Sequence, residues 1–253
     1  MDTDNLKYVV ITGASSGIGY EVAKAFAKEG KNIIIVARRT QQLEKLKSVI
    51  LEISSQVSVI SKTADLSKIE EVYKLYEDLK LYNIDTWINN AGFGFDDSLS
   101  NQNTSNLSEM IRLNVEAVAL LSKLFMQDYK DVEDTQLINV ASVVGYYLLP
   151  KTVSYAATKF FVTAFTEGLD QELKINQNKM RAKVLAPAAT KTEFTAIACN
   201  DKGLDYDKSF DRYHTAEQMA EFTMQLFYSD MGVGIVDLES YEFKLRNAIH
   251  QYL

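Results

Sequence analysis

Short apolar runs alternate with longer stretches of helical period along most of the chain. YVVIT (8–12), NIIIVA (32–37), VSVIS (57–61), IDTWIN (84–89), QLINVA (136–141) and AKVLA (182–186) are rich in β-branched residues and read as buried strands. Between and after them, Ile18–Lys28, Gln41–Ile53, Lys68–Leu81, Ser108–Tyr129, Thr152–Lys174 and Ala216–Tyr228 repeat apolar residues at helical spacing. Strand and helix in strict alternation predict an α/β doubly wound fold, a parallel sheet with helices on both faces. GIVDLESYEF, from Gly234, predicts a seventh strand. The only prolines are Pro150 and Pro187 and no low-complexity segment interrupts the pattern, so residues 1–253 read as a single domain. Thr190–Tyr213 breaks the alternation just after the sixth strand. Ligands of open α/β sheets bind beyond the carboxyl ends of the strands, so this excursion is expected to be a mobile substrate loop.

Composition narrows the function classes. With 34 acidic residues against 27 basic and a net charge of −7, general affinity for nucleic acid or an anionic membrane is not expected. Cys199 is the single cysteine, which excludes an internal disulfide and fits a reducing compartment. The start, MDTDNLKYVVITG, has neither a basic n-region nor an apolar h-region, and no apolar run approaches ~18 residues, so neither a signal peptide nor a membrane span is expected. The expectation is a cytoplasmic protein.

The first strand runs directly into TGASSGIG (12–19). Gly13 permits a tight turn, Gly17 lets backbone approach a pyrophosphate, and Gly19 allows close helix–strand packing. The helix start that follows supplies amide donors and a positive dipole end. The same letters contain Gly13-Ala-Ser15-Ser-Gly17, which satisfies the nucleophile elbow of serine hydrolases. That rival needs a histidine, and only His214 and His250 are available. About twenty residues on, NAD sites place an acid at the end of strand two. Here the strand ends Ala37-Arg38-Arg39, which favours NADP(H) over NAD(H), because guanidinium groups meet a 2′-phosphate. Asp65-Leu66, at the end of strand three, offers a carboxylate to an adenine amino group.

Further along, strand four runs into Asn89-Asn90-Ala91-Gly92 and strand five ends at Ser142. Asn114 places an amide inside the apolar stretch MIRLNVEAVALL and needs partners there. Four Tyr-x-x-x-Lys pairs occur, each able to share a helix face. Tyr20/Lys24 and Tyr76/Lys80 are flanked by charges and read as solvated faces, and Tyr147/Lys151 spans Pro150, which breaks a helix. Tyr155/Lys159 differs, since Lys159 is the only charged residue between Thr152 and Thr166. A lysine in an uncharged helix is costly without a purpose.

In the order TGASSGIG, NNAG, Asn114, Ser142 and Tyr155-x-x-x-Lys159, the chain resembles the short-chain dehydrogenase/reductase family over nearly its whole length. The resemblance implies a Rossmann-type, mostly parallel seven-stranded sheet and hydride transfer between a nicotinamide cofactor and a carbonyl or alcohol. It implies Tyr155 as general acid/base, Ser142 polarising the carbonyl, Lys159 lowering the tyrosine pKa and binding the ribose, and Asn114 holding a relay water. Cofactor contacts are expected from Gly13, Ser15, Ser16, Gly17, Ile18, Gly19, Arg38, Arg39, Asp65, Leu66, Asn90, Ala91, Gly92, Tyr155, Lys159, Pro187, Thr190 and Thr192. No metal is implied. A homodimer or homotetramer, packed on the helices of Asn114 and Tyr155, is expected. Pro187-Ala188 replaces the family's Pro-Gly and sets a methyl against the nicotinamide region. Moving a phenol from about pH 10 to neutrality takes ~4 kcal/mol. An ammonium about 4 Å away in an effective dielectric of about 20 supplies ~4 kcal/mol. Phe93, Phe95, Tyr146, Tyr147, Leu148, Leu149 and Phe194 are candidates to line an apolar substrate pocket. A dinucleotide-sensing regulator is the alternative to an enzyme, and it needs no intact acid–base set.

Overall fold

Six parallel strands occur where the apolar runs lie: β1 (Lys7–Thr12), β2 (Asn32–Ala37), β3 (Val59–Thr63), β4 (Asn83–Asn89), β5 (Gln136–Val140) and β6 (Arg181–Ala186). The computed structural model describes residues 6–199 and 204–252. Asn200–Gly203, part of the expected substrate loop, therefore lie outside the described residues. After β6 come a short ladder of β7 (Thr190–Lys191) and β8 (His214–Thr215), then β9 (Val233–Val236) and β10 (Phe243–Arg246). The main sheet has eight strands in the order β10-β9-β6-β5-β4-β1-β2-β3. The expected seventh strand is β9, parallel to β6, and β10 is an additional antiparallel edge strand hydrogen-bonded to it. The eighth was missed because FKLR is short, half-polar and only partly buried.

Helices α1 (Gly17–Lys28), α2 (Thr40–Ile53), α3 (Ile69–Leu79), α4 (Thr104–Ile111), α5 (Val118–Tyr129), α6 (Val153–Ile175), α7 (Glu193–Ala198), α8 (Tyr206–Ser209) and α9 (Ala216–Tyr228) fill the connections. Val9 and Ile11 of β1 pack with Val22 and Phe26 of α1 on one face. Val10, one residue out of phase, packs with Trp87, Leu121 and Phe125 on the other. A strand buried on both faces explains why these runs are continuously apolar rather than alternating. β1 pairs with both β2 and β4, so the connection after β3 crosses to the far side of β1. That reversal of strand order is where α/β sheets form their ligand crevice.

The helix expected over Ser108–Tyr129 begins earlier, because Asn103 accepts from the amides of Ser105 (2.9 Å) and Asn106 (3.4 Å) as its N-cap. It is also interrupted by a π-helical turn at Arg112–Ala117, centred on Asn114. Such wide turns re-aim side chains and are frequent at functional sites. Tyr76 is not on a solvated face: it is buried, donating to Leu124 O (2.9 Å) and Asp128 Oδ2 (2.8 Å). Its neighbours Lys80 and Glu77 are exposed, so the charges around it described only the other side of the helix. Among the described residues, no helix is long and apolar enough to cross a membrane.

Lys183 shows how a buried charge is tolerated in β6. Its Nζ donates to the carbonyls of Leu226 (3.0 Å), Phe227 (2.9 Å) and Ser229 (2.6 Å), closing the C-terminal end of α9. Burial pushes its pKa down to about 8, yet the ammonium serves three carbonyls. Lys183→Met should lower stability by about 3 kcal/mol, read as a reduced urea midpoint, because leaving three buried carbonyls without their donor costs more than relieving the desolvation of one ammonium returns.

Candidate active site

Thr12, the last residue of β1, fastens the glycine-rich turn to the strand beside it. Its Oγ1 accepts from the backbone amides of Asn90 and Ala91, both at 3.0 Å. Asn90 Nδ2 donates in turn to Thr12 O at 2.9 Å. A Cβ on Gly13 would stand 2.8 Å from Asn90 Nδ2, and one on Gly19 only 2.4 Å, so the Asn90 side chain is a buttress beneath the turn. Gly13 (φ 67°) and Gly17 (φ 59°) both occupy the left-handed region, which glycine adopts without strain. At the start of α1, Ser16 makes no side-chain cap and the first turn holds no acidic residue, leaving the amides open to an anion.

From this turn a crevice of about 1010 Å³ extends along Ala37, Arg38, Arg39, Asp65, Leu66, Ala91 and Gly92. Burial raises the Asp65 carboxyl, but hydrogen bonds from Ser67, followed by Arg38 and Lys68, bring it below the ordinary carboxylate value. The arginines do not stand apart from carboxylates. Arg38 pairs with Glu109 of α4 at 3.2 Å and Arg39 with Glu193 of α7 at 2.9 Å. Neither acid lies near strand two in sequence, so reading that strand end alone missed both. Gly13, Ala91 and Gly92 are shared with a second cavity of about 320 Å³, lined by Asn90, Ser142, Tyr155 and Lys159 together with Pro187, Ala188, Thr190 and Thr192. The carboxyl ends of β1, β4, β5 and β6 thus bring Gly13, Ala91, Ser142 and Pro187 to adjoining cavities, whereas Asn114, Gly17 and Gly19 line neither.

Within that cavity, Ser142 follows β5 and caps the turn Val143–Gly145, with its Oγ donating to Pro187 O at 3.3 Å. Tyr155 lies in the first turns of α6, its ring covered by Phe194 (centroids 5.6 Å apart) and by Gly94. Burial pushes the phenol well above its ordinary value, and a hydrogen bond with Ser142 pulls it part of the way back. Lys159 is buried, with Nζ 5.7 Å from the Tyr155 ring centroid and donating to Val140 O at 2.8 Å. Burial brings its pKa down to about 8. Desolvation thus dominates the phenol, and what lowering there is comes from Ser142 rather than from the expected ammonium of Lys159. Asn114 Nδ2 donates to Phe93 O (2.8 Å) and Thr158 Oγ1 (3.1 Å), and its Oδ1 accepts from Phe93 N (3.2 Å). Its side chain clasps the loop after β4 to α6, the partners that a buried amide requires.

Of the expected apolar lining, Phe95, Leu149 and Phe194 face the smaller cavity, together with Thr195, Ala198 and Phe210. Phe93 faces the larger crevice. Tyr147 and Leu148 instead project to solvent, 49% and 77% exposed. Tyr146 turns away to hydrogen-bond Glu167 and stack on His250 (5.4 Å). Neither histidine serves Ser15. His214 is buried between Phe222 and Tyr241, His250 lies against Tyr146 and Thr163, and the Ser15 hydroxyl accepts from Arg39. The hydrolase pattern is a coincidence of letters. No cluster of metal-ligating residues occurs among the described residues.

Comparison with known proteins agrees with this geometry. Residues 7–202 match the short chain dehydrogenase family. Dehydrogenase/reductase SDR family member 11 of Homo sapiens is 31% identical over 244 residues, covering 92% of this chain and 93% of its own. An uncharacterized oxidoreductase of Staphylococcus saprophyticus is 35% identical over 205 residues, 81% of this chain and 82% of its own. Among solved structures, a short-chain dehydrogenase from Sphingobium yanoikuyae in complex with NADPH superposes with a TM-score of 0.83 at 28% identity, covering 92% of this chain and 89% of that one. Sequence motifs, sheet order and relatives converge: the chain belongs to the short-chain dehydrogenase/reductase family of oxidoreductases.

Proposed function

We propose that this protein is an NADP(H)-dependent oxidoreductase interconverting a small or medium apolar carbonyl compound and its alcohol. The observation that carries the reading is the meeting of Ser142, Tyr155 and Lys159 in one partly apolar cavity that opens onto the glycine-rich turn. Three features support a dinucleotide in the crevice: the left-handed glycines make the turn tight, the first amides of α1 have no side-chain cap or acidic neighbour, and two guanidinium groups line the crevice. Its nicotinamide would supply or take up the hydride. Gly13 through Gly19 would hold the pyrophosphate, with Arg38 and Arg39 at the 2′-phosphate and Asp65 and Leu66 beside the adenine. Pro187, Thr190, Thr192 and the backbone of Asn90–Gly92 would border the nicotinamide end.

The chain's own groups divide the proton work. Tyr155, held above its ordinary pKa, is protonated at neutral pH, the state that a general acid needs when a carbonyl is reduced. Ser142 presents a preorganised hydroxyl to the developing alkoxide. Lys159 contributes positive charge beside the phenol and, in this reading, binds the ribose. Asn114 is a positioning residue, and its π-helical turn is suited to holding a relay water. The residues form one catalytic domain, and the exposed apolar side chains Ile111 (46%), Val153 (58%) and Ile175 (64%) on α4 and α6 support a homo-oligomer.

Two measurements test this. NADPH absorbance followed with a panel of aldehydes and ketones should show turnover; binding without any turnover would favour the dinucleotide-sensing regulator. The second concerns Gly94, where a Cβ would lie 2.6 Å from Tyr155 Cδ2. Gly94→Ala should displace the phenol and lower kcat about tenfold, with the NADPH dissociation constant little changed, since misplacing a reacting group is costly.

A further inference from the structure

Arg39 joins two segments that the cofactor reading treats separately. Its Nε and Nη2 donate to Ser15 Oγ (3.2 and 3.1 Å) and Nη2 also to Ser16 Oγ (2.7 Å), within the glycine-rich turn. Its Nη1 donates to Glu193 Oε2 at 2.9 Å. Glu193 is the first residue of α7, directly after Thr192, whose hydroxyl accepts from the Phe194 amide. Phe194 in turn lies against the Tyr155 ring. The same two segments also touch sterically, because a Cβ on Gly17 would stand 3.1 Å from Thr192 Cβ and Cγ2.

The Arg39–Glu193 pair is half in water, 46% and 57% exposed, so it adds little to stability. A planar guanidinium presents a fork that suits phosphate at least as well as carboxylate. The one fork cannot satisfy both in full. Glu109 engages Arg38 instead, so Glu193 is the carboxylate that holds Arg39.

We propose that Glu193 is a cofactor-discriminating residue: its carboxylate holds Arg39 where the 2′-phosphate of NADP(H) would engage it, so that the phosphate binds by displacing Glu193 and releasing α7 with Phe194 above Tyr155. This rests on the NADP(H) reading above. NADH carries no 2′-phosphate to compete, so with it the bridge persists and α7 stays tethered. The cofactor's identity is thereby relayed to the wall of the substrate cavity.

The test is direct binding, followed by nicotinamide fluorescence, of NADPH and NADH to the wild-type protein, Glu193→Gln, Arg39→Ala and the double variant. Glu193→Gln should tighten NADPH about fivefold, the scale of one exposed ion pair, and leave NADH unchanged. In the Arg39→Ala background the same change should do nothing. A wild-type melting temperature certifies that each variant is folded. NADPH binding that is unaltered or weaker in Glu193→Gln overturns the proposal. A gain that persists without Arg39 overturns it too, because it signals through-space repulsion rather than competition. If wild-type NADPH binds no more tightly than NADH and Arg39→Ala has no effect, the cofactor reading itself fails, a result distinct from the other two. As a second readout, amide hydrogen exchange over residues 193–198 should quicken with NADPH but not NADH in the wild type, and should already be fast in Glu193→Gln.

Discussion

Tyr155→Phe is expected to lower kcat for carbonyl reduction by about a thousandfold while NADPH binds as before. The magnitude is that of a positioned general acid, 10² to 10⁴ in rate. The substitution removes one oxygen and keeps the ring, so the contacts with Phe194 and Gly94 survive and the cavity stays filled. What is lost is the proton that the developing alkoxide must receive. Ser142 cannot replace it: its hydroxyl can turn to hydrogen-bond the alkoxide, but a serine hydroxyl is a poor acid at neutral pH. The residual rate should come from binding and from the Ser142 hydrogen bond, as when one member of an acid–base set is deleted and the others stay. Activity unaltered by Tyr155→Phe, in protein of wild-type melting temperature, would refute the assignment of the acid.

Lys159→Met should act in two opposite directions. Turnover should fall by at least about 100-fold, because the charge beside the phenol disappears along with its support of the reacting group. Stability at pH 7 should nevertheless rise. Folding drags this ammonium into a buried site and shifts its pKa from 10.5 to about 8. The unfolded chain therefore binds the proton more tightly than the folded one, and stability increases as pH climbs from about 8 to 10.5. Below pH 8 the full penalty applies, about 3 kcal/mol from the width of that window. Methionine carries none of it, though part of the gain is offset because Val140 O loses its donor. The difference in unfolding free energy between Lys159→Met and wild type should thus shrink by about 3 kcal/mol between pH 7 and pH 10.5. Comparing variant with wild type cancels the contributions of Lys183 and the buried tyrosines, which titrate in the same range. A difference that does not vary with pH would mean that Lys159 is not desolvated. A stability cost for a functional lysine is what an active site is expected to carry.

Several elements were legible because they depend on near neighbours. β2 runs over the same residues that NIIIVA predicted, and α9 begins and ends where the apolar period does. A strand buried on both faces and a helix with a capping residue at its start declare themselves within a window of about ten residues. β3 slipped by two residues from the expected span because its start is decided by a neighbour: its first ladder pair is Val59 with Ile33, and the Ser58 amide is taken by Asn32. The decoys divide in the same way. Pro150 was enough to discount Tyr147/Lys151, whereas the burial of Tyr76 depended on Asp128 and Leu124, some fifty residues away.

By itself the sequence determined the fold class, the glycine-rich turn after the first strand and the Tyr155/Lys159 pair set apart by the uncharged stretch around it. Those signals are periodic or local, written in residues that touch along the chain. Only the tertiary structure decided how the groups meet. Parallel pairing of β4 and β5 beside β1, with α6 laid over them, sets Lys159 under Val140 and Tyr155 beside Ser142. The tertiary structure also made Asn90 a buttress rather than a ligand-facing side chain, turned Tyr146 away from the cavity, and brought Glu193 to Arg39 across 154 residues. The physical reason is the same in each case. A side chain's charge state and partner are set by what the sheet's register and crossovers bring within a few ångströms, and that proximity leaves no periodic trace in the order of residues.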